Sequence, residues 1–342
     1  MKKRTAVVIL NWNGVEMLRS FLPSVVKYSD SADIVVADNG STDDSIRVLT
    51  EEFPMVRQIV LDVNYGFAEG YNRALEQIDA EYSVLLNSDV EVSPLWLKCL
   101  TDYMDAHPEV AGCQPKIRSY KKKELFEYAG ACGGFMDKYG YPFCRGRIMS
   151  QVEVDKGQYD EPISVFWATG AALLVRTNLY KEVGGLDACF FAHMEEIDLC
   201  WRMRARGYNL VCVPESIVYH VGGATLSKEN PRKTYLNFRN NLLMIYKNEA
   251  EGKLSTIMRV RCLLDSIAAF KFFVLGDVAN AKAVFKARRD FHKMKVSYEA
   301  IRSQNIAATT NHHIPELFHI SILFEFYFKA KKTFDVIRRV NR

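Results

Sequence analysis

An α/β fold is what this sequence predicts: a doubly wound, mostly parallel sheet with flanking helices, followed by a C-terminal helical extension. Three observations carry that expectation. Short continuous apolar runs alternate with segments of helical spacing through the first half of the chain. Polar clusters follow those runs directly, where open parallel sheets hold their ligands. Beyond about residue 254 the alternation stops, and apolar and basic residues mix at helical spacing.

Taken in order, residues 6–10 (AVVIL) suit a strand covered on both faces. A basic start followed by an apolar run also occurs in leader peptides. This run is only about six residues long and ends in Asn-Trp-Asn-Gly without a small-residue cleavage signal, so it reads as the first buried strand. Residues 15–27 have helical spacing, disturbed by Pro23. Residues 34–37 make a second strand, and the turn-rich DNGSTDDS leads into a helix over 45–53. A strand over 56–61, a helix over 70–78 and a buried strand over 82–86 complete the alternation. Residues 124–163, rich in glycine, aromatic and basic residues without clear period, suggest irregular structure or an added hairpin. Residues 165–176 (VFWATGAALLVR) return to strand character, and 210–213 and 217–220 are short strands. In the tail, Met258, Leu263, Leu264, Ile267, Phe270, Phe273 and Val274 can share one broad helical face, and the basic stretch KARRDFHKMK occupies 286–295. Such helices either lie on a membrane surface or pack on the preceding domain or a second subunit.

Composition narrows the function classes. With 49% hydrophobic and 25% charged residues the chain is globular, and a net charge of +4 is too small to suggest a nucleic-acid partner. Its eight cysteines contain no C-x-x-C pair, which points to neither a zinc site nor a disulfide framework but to small buried residues in a reducing compartment. No apolar segment approaches the roughly 20 residues of a membrane span.

Several motifs carry chemistry. In VVADNGSTDDS, Asp38 follows a buried strand and can accept two hydrogen bonds from a ribose or base edge; alternatively the segment is a turn in which Asp43 or Asp44 caps the next helix. NYGFAEGYNRAL (64–75) has glycines that admit close backbone approach, and Asn72 opens a helix toward the same crevice, although the spacing is not G-x-G-x-x-G. In VLLNSDVEV (84–92) a buried strand runs out into Asn87, Ser88 and Asp89. Oxygen donors there suit Mg2+ or Mn2+, although an acidic turn is the plainer alternative. FAHMEEIDLCWRMRARGY (191–208) sets Glu195, Glu196 and Asp198 together. On an ideal helix Met194, Ile197, Cys200 and Trp201 form the apolar face and Asp198 pairs with Arg202. Helix electrostatics explains Asp198; a glutamate beside a covered site can serve as a general base. In VYHVGGAT, His220 stands at a strand end beside glycines, as a ligand or as a structural histidine.

Together, ILNWNG, VVADNGSTDDS, NYGFAEGYN, LLNSDVEV, ATGAALLVR, GGLDACFFAHMEEIDLCWRMRARGY and HVGGAT resemble, in consistent order over about residues 4–250, glycosyltransferase family 2, the inverting GT-A-fold enzymes, and within it the rhamnosyltransferase-like branch of bacterial polysaccharide enzymes. The resemblance implies a catalytic domain over 1–250, with a nucleotide-sugar half (1–115) and an acceptor half (116–250), and a C-terminal helical region over 251–342. It implies a nucleotide-diphosphate sugar, dTDP-rhamnose or a UDP-sugar, held by Asn11, Asn13, Asp38, Asn39, Asn64, Gly66, Phe67, Asn72, Ser88, Asp89 and Arg239. Asp38 would contact the base and ribose with Asn11 in support, and Arg239 the diphosphate. Asp89 and His220 would bind a divalent cation, Mg2+ or Mn2+. Asn87 stands where the family's D-x-D motif has its first acid. Trp167 and Gly170 would face the acceptor, a glycan or lipid-linked glycan at the cytoplasmic face of the inner membrane. The base falls on Glu196, a glutamate where the family usually has aspartate, with Glu195 its rival.

Three other readings compete. A sugar nucleotidyltransferase would carry a glycine-rich basic loop after the first strand, where this chain has NWNGVEML; a processive synthase would show Q-x-x-R-W and membrane spans; a non-catalytic nucleotide-sugar-binding scaffold has no use for Asp89, Glu196 and His220 together. Oligomerisation is left open.

Overall fold

The computed structural model describes residues 3–222 and 230–341. The N-terminal strands form as their apolar runs require. β1 (Thr5–Asn11), β2 (Ala32–Asn39) and β3 (Arg57–Leu61) are parallel, joined by α1 (Val15–Tyr28) and α2 (Ser45–Glu52). Pro23 removes one backbone donor yet leaves α1 continuous, because Leu18, Phe21, Leu22 and Val25 bury one face of the helix against the sheet. α3 (Gly66–Glu76) leads to β4 (Tyr82–Asn87), parallel to β1, then to the short β5 (Val90–Val92), α4 (Trp96–Ala106) and β6 (Val110–Ser119).

The expected irregular region contains a second, smaller sheet of hairpins: β7 (Gly134–Asp137), β8 (Pro142–Cys144), β9 (Arg147–Ile148) and β10 (Gln151–Val152). The single strand expected over 165–176 is a correction. Only β11 (Ile163–Ser164) and β12 (Ala172–Arg176) are strands; between them Trp167 makes a single antiparallel bridge to Gly134 of β7 (Gly134 N to Trp167 O, 3.0 Å) and Thr169 N donates to the Gln114 side chain (3.0 Å), so the segment leaves the main sheet. α5 (Thr177–Glu182) and α6 (Glu195–Ala205) precede β13 (Asn209–His220). β13 replaces the two strands expected over 210–220 and carries an irregularity between Val213 and Ile217, where Pro214 falls.

Among the described residues the main sheet has nine strands, in the order β11-β13-β6-β12-β4-β1-β2-β3, with β5 pairing β13. β12 runs antiparallel between β4 and β6 and β13 is again parallel to β6, so the sheet is mixed but parallel-rich. Apolar side chains on the two faces form separate cores. One, with Leu22, Val48, Trp96 and Leu100, lies under α1, α2 and α4; the other, with Tyr71, Phe166, Phe190 and Leu243, lies under the later elements. Each fully buried large aliphatic or aromatic side chain contributes about 1.5–3 kcal/mol.

Asn230, whose side chain accepts from Arg232 N (2.9 Å), and Pro231 start α7 (Pro231–Asn248). α8 (Glu251–Val274), α9 (Val278–Met294) and α10 (Glu299–Ala307) follow. The tail then returns: β14 (Leu317–Phe318) pairs with β7, and α11 (Ile322–Tyr327) and α12 (Phe334–Val340) end the chain, with Phe334 and Ile337 in the second core. Among the described residues no helix is long and apolar enough to cross a membrane.

Candidate functional site

The ends of β1, β2 and β4 lie side by side, with Asn11 opposite Asp38 and Leu10 opposite Asn87. Burial at these ends favours pairing of their polar groups, although Asn11 Oδ1 has no hydrogen-bond partner among the described residues. Asn11 Nδ2 donates to Asp38 Oδ1 (3.0 Å), and Asp38 Oδ2 accepts from Ser41 N (2.9 Å), so the two side chains form one buried unit. Asn13, at φ 49°, accepts from Thr42 N through Oδ1 (2.8 Å). The helix-capping role open to Asp43 or Asp44 belongs to Asp43, which accepts from Val15 N (3.1 Å) and Ser45 N (3.0 Å). Asn39 donates to Asn64 Oδ1 (3.1 Å) and Gly66 O (3.0 Å) and accepts from Tyr65 N (3.0 Å).

Gly66, at φ +78°, starts α3 four residues before the expected 70–78, which corrects the view of Asn72 as a helix-opening residue. The early start depends on a distant group: Phe67 N and Ala68 N donate to Phe191 O (2.7 and 3.2 Å). Asn72 lies within the helix and braces the turn at Leu186, donating to Leu186 O (2.8 Å) and accepting from Leu186 N (3.0 Å) and Tyr180 Oη (2.6 Å).

Beyond β4, Ser88 is half-buried and Asp89 buried. Asp89 Oδ1 lies 3.1 Å from His220 Nε2 at the end of β13, and Asn87 Nδ2 lies 3.4 Å from the same nitrogen. The other imidazole nitrogen is 3.6 Å from Glu127 Oε1, an ion-pair distance. Burial opposes the cation, but hydrogen bonds and charge from Asp89 and Glu127 push the His220 pKa up to about 10. Burial likewise opposes ionisation of Asp89, and His220 holds its carboxyl below the usual range. Gly223, Ala224 and Thr225 of the VYHVGGAT motif lie outside the described residues. One carboxylate and one imidazole converge here, a donor set that would fit Mn2+ or Mg2+ once the cation displaces the imidazole proton and substrate oxygens fill the remaining positions. Among the described residues no group of three or more acidic, His or Cys side chains converges to hold a metal alone.

The acidic cluster divides as its chemistry demands. Asp198 is fully buried and bound by Arg202 Nε (3.0 Å), Lys247 Nζ (3.0 Å) and Asn248 Nδ2 (2.8 Å); against the cost of burial, Lys247 and Arg202 hold it ionised. Among the described residues no such cation pairs with Glu195 or Glu196, and each has a buried Oε2 without a hydrogen-bond partner there, as does His193 at Nε2. Burial, and then the Glu196 charge, hold the Glu195 carboxyl well above its usual range; burial pushes half-buried Glu196 up to about 7. Burial and then Lys233 lower His193 to about 4. A methyl group added at Gly170 would lie 3.7 Å from Glu196 Cβ and 3.2 Å from the Phe67 ring, so these three residues meet. Ala171 O accepts from Asn87 N (3.0 Å), which joins the glutamates to the end of β4.

The loop ahead of α6 is strained. Phe191 (φ 65°, ψ −56°) closes a γ-turn of the rare positive-φ kind, with Ala192 N donating to Phe190 O (2.7 Å). His193 (φ 71°) and Met194 (φ 73°) are also left-handed, so Met194 caps α6 and does not extend its apolar face. Asn240, fully buried on α7, holds this loop: its Nδ2 lies 2.8–2.9 Å from the carbonyls of Phe190, Ala192 and His193. Arg239, expected at the diphosphate, donates to Cys189 O (2.8 Å), Phe190 O (3.2 Å) and Asn240 Oδ1 (2.8 Å). Trp167, expected toward the acceptor, is only 3% exposed, and its indole N–H donates to Phe135 O (2.9 Å), so it is a core residue. Asn240, Glu127 and His193 were not legible as site residues, since Asn240 and Glu127 act through partners about 50 and 90 positions away in the chain.

A parallel-rich mixed sheet with flanking helices, carrying polar groups at its strand ends, is the GT-A glycosyltransferase fold. Solved structures share it: S. aureus TarS 1–349 in complex with UDP (16% identity, TM-score 0.55, covering 90% of this chain and 89% of that one), the mannosyltransferase PcManGT from Pyrobaculum calidifontis in complex with GDP-Man and Mn2+ (14%, TM-score 0.51, 90% and 86%), and GalNAc-T7 with UDP, GalNAc and Mn2+ (18%, TM-score 0.57, 71% and 48%, about half of that protein). Residues 6–153 match the family model "Glycosyl transferase family 2". The chain carries a domain of that family and is a glycosyltransferase. Its relatives include an N-acetylglucosaminyl-diphospho-decaprenol L-rhamnosyltransferase of Mycobacterium tuberculosis (26% identical over 229 residues, 63% of this chain and 75% of the relative). Another is the rhamnosyltransferase WbbL of Escherichia coli (24% over 163 residues, 46% and 61%).

Proposed function

We propose that the protein is an inverting glycosyltransferase that moves a sugar, rhamnose from dTDP-rhamnose or the sugar of a UDP donor, onto a hydroxyl of a lipid-linked or growing cell-surface glycan. The observation that carries this reading is the Glu195–Glu196 pair: a buried and a half-buried glutamate, each with a buried oxygen unpartnered among the described residues, with Glu196 beside Phe67 and Gly170 near the end of β4. Asp38 and Asn11 hold the nucleoside, supported by Asn13, Asn39, Asn64 and Ser88. Asp89 and His220 hold a divalent cation, which when bound neutralises charge on the leaving diphosphate. Arg239 supports the diphosphate side through the loop it braces.

Glu196 is the base. With its pKa near 7 it is substantially ionised at neutral pH and still basic enough to accept a proton. It takes that proton from the acceptor hydroxyl while the hydroxyl oxygen attacks the anomeric carbon from the face opposite the leaving group. One displacement inverts the configuration and needs no enzyme nucleophile. Glu195, whose carboxyl burial and the Glu196 charge hold well above its usual range, favours the neutral form and so opposes a second negative charge in the pocket. The relative whose name gives an N-acetylglucosaminyl-diphospho-decaprenol acceptor supports a lipid-linked acceptor, and a lipid-linked acceptor would place this protein at the cytoplasmic face of a membrane. The catalytic domain extends over about residues 1–250, with 251–342 as a helical region beside it.

The test is a screen of UDP-, GDP- and dTDP-sugars with Mn2+ or Mg2+, with and without glycan acceptors. Release of nucleoside diphosphate from one donor class is the expected result; release from none, under any combination, would favour a binding scaffold.

A further inference from the structure

The last two-thirds of α8 is inside out. Arg261 and Asp265 face inward, 2% and 0% exposed: Asp265 accepts from Arg261 (3.3 Å) and Arg288 (2.7 Å), and Arg261 also reaches Tyr139 O (3.1 Å). On the outer side, Leu263, Ile267, Phe270, Phe273 and Val274 are 55–67% exposed. A helix surrounded by water carries the opposite pattern. The apolar surface continues through Leu275 at the hairpin tip to Val278 and Phe285 on α9, which packs against α8. Beside it, Phe324, Tyr327 and Phe328 of α11 are exposed as well, and Lys271 of α8 lies 5.9 Å from the Tyr327 ring. A contiguous apolar surface of this kind marks a site that something covers.

The charge distribution says what covers it. Residues 251–342 carry 17 Lys and Arg against 8 Asp and Glu, whereas residues 1–250 carry 28 against 33. Lys282, Lys286, Arg289 and Lys293 recur at helical spacing on exposed positions of α9, with Phe285 among them. A second copy packed on this face would bring two strongly cationic segments together. An anionic lipid surface neutralises them and accepts the aromatic side chains below its headgroups. No described helix is able to cross a membrane, so the segment lies on it.

We propose that the outer face of the α8–α9 hairpin, with α11, is a docking surface for anionic phospholipid membranes. This deepens the membrane location proposed above and is independent of the reaction, since binding is read without any donor.

The experiment is co-sedimentation of the full chain with phosphatidylcholine vesicles and with vesicles holding about 30% phosphatidylglycerol. The expected result is binding to the anionic vesicles, weakened about tenfold by high salt or by omitting the anionic lipid. Phe270→Ser with Phe273→Ser, and separately Lys282→Glu with Lys293→Glu, each lower binding about tenfold while the melting temperature holds. Wild-type protein left in the supernatant overturns the proposal, as does wild-type binding by both double variants. If the serine pair instead converts a dimer to a monomer in sedimentation velocity, without vesicle binding by the parent, a second copy covers this face and the proposal is wrong.

Discussion

Replacing Asn240 by aspartate removes the two amide protons that three loop carbonyls share, while keeping an oxygen for Arg239 Nε. Neutral hydrogen bonds of this kind contribute about 0.5–1.5 kcal/mol each, so the lost donors amount to roughly 1–3 kcal/mol. They hold Phe191, His193 and Met194 in left-handed backbone, which costs roughly 1–2 kcal/mol per residue. Over three residues that strain amounts to roughly 3–6 kcal/mol, at least as large as the clamp, and without the clamp the loop relaxes before the fold does. Because Met194 caps α6 and the glutamates open that helix, relaxation displaces them; a shift of about 1 Å in such a group lowers turnover about 100-fold. The nucleoside end of the donor side, Asn11 and Asp38 at the ends of β1 and β2, makes no hydrogen bond to this loop among the described residues, so the loop reaches the donor through the start of α3 at Phe191 O and through Arg239. The expected outcome is therefore kcat lowered about 10- to 100-fold with donor KM within about threefold, and stability reduced by less than about 3 kcal/mol because released strain offsets lost bonds. Steady-state kinetics and urea unfolding of Asn240→Asp and Asn240→Ala read both quantities. Turnover within twofold of wild type in both variants, or a rise in donor KM as large as the fall in kcat, would refute the reasoning.

Three further outcomes are expected. Glu196→Gln lowers transfer by about 10²–10⁴, and in the parent enzyme kcat/KM climbs with pH to a plateau above about 7, because the base works ionised; if Glu195→Gln abolished transfer and Glu196→Gln did not, the base would be Glu195. The Glu195 carboxyl is raised by folding, so the unfolded chain loses that proton first and stability is lost as pH rises above the usual carboxylate range. Calorimetry of Glu195→Gln should then show a melting temperature above the parent's by roughly 1–4 °C near pH 8, with little difference near pH 5. Asp89→Asn and His220→Ala should each weaken Mn2+-dependent binding of a nucleoside diphosphate about 10- to 100-fold by titration calorimetry, leaving the fold intact by circular dichroism.

The legible parts of this protein are those with local causes. Apolar runs at 6–10, 34–37 and 82–86 are buried strands because no other element hides such runs, and the polar residues after them sit at strand ends for the same reason. Asp198 was legible through Arg202 one helical turn away, although its complete burial and its Lys247 and Asn248 partners were not. Trp167 misled because an aromatic residue near a cleft and one in the core look alike in sequence, and only the Phe135 carbonyl separates them. Asn72 and Arg239 each spend hydrogen bonds on backbone that the fold brings to them, a use that their places in the sequence did not show.

By itself, then, the sequence determined the order of strands and helices through β4, the strand-end positions of Asn11, Asp38 and Asn87, and the presence of a close glutamate pair. These follow from burial of periodic apolar residues and from covalent adjacency. The tertiary structure alone decided that Asp198 is neutralised while Glu195 and Glu196 are not, that Glu127 stands behind His220, and that Asn240 holds the loop before α6. Each depends on which distant group arrives within a few ångströms in a low-dielectric interior, where one cation or one missing hydrogen bond sets the charge state of a carboxylate.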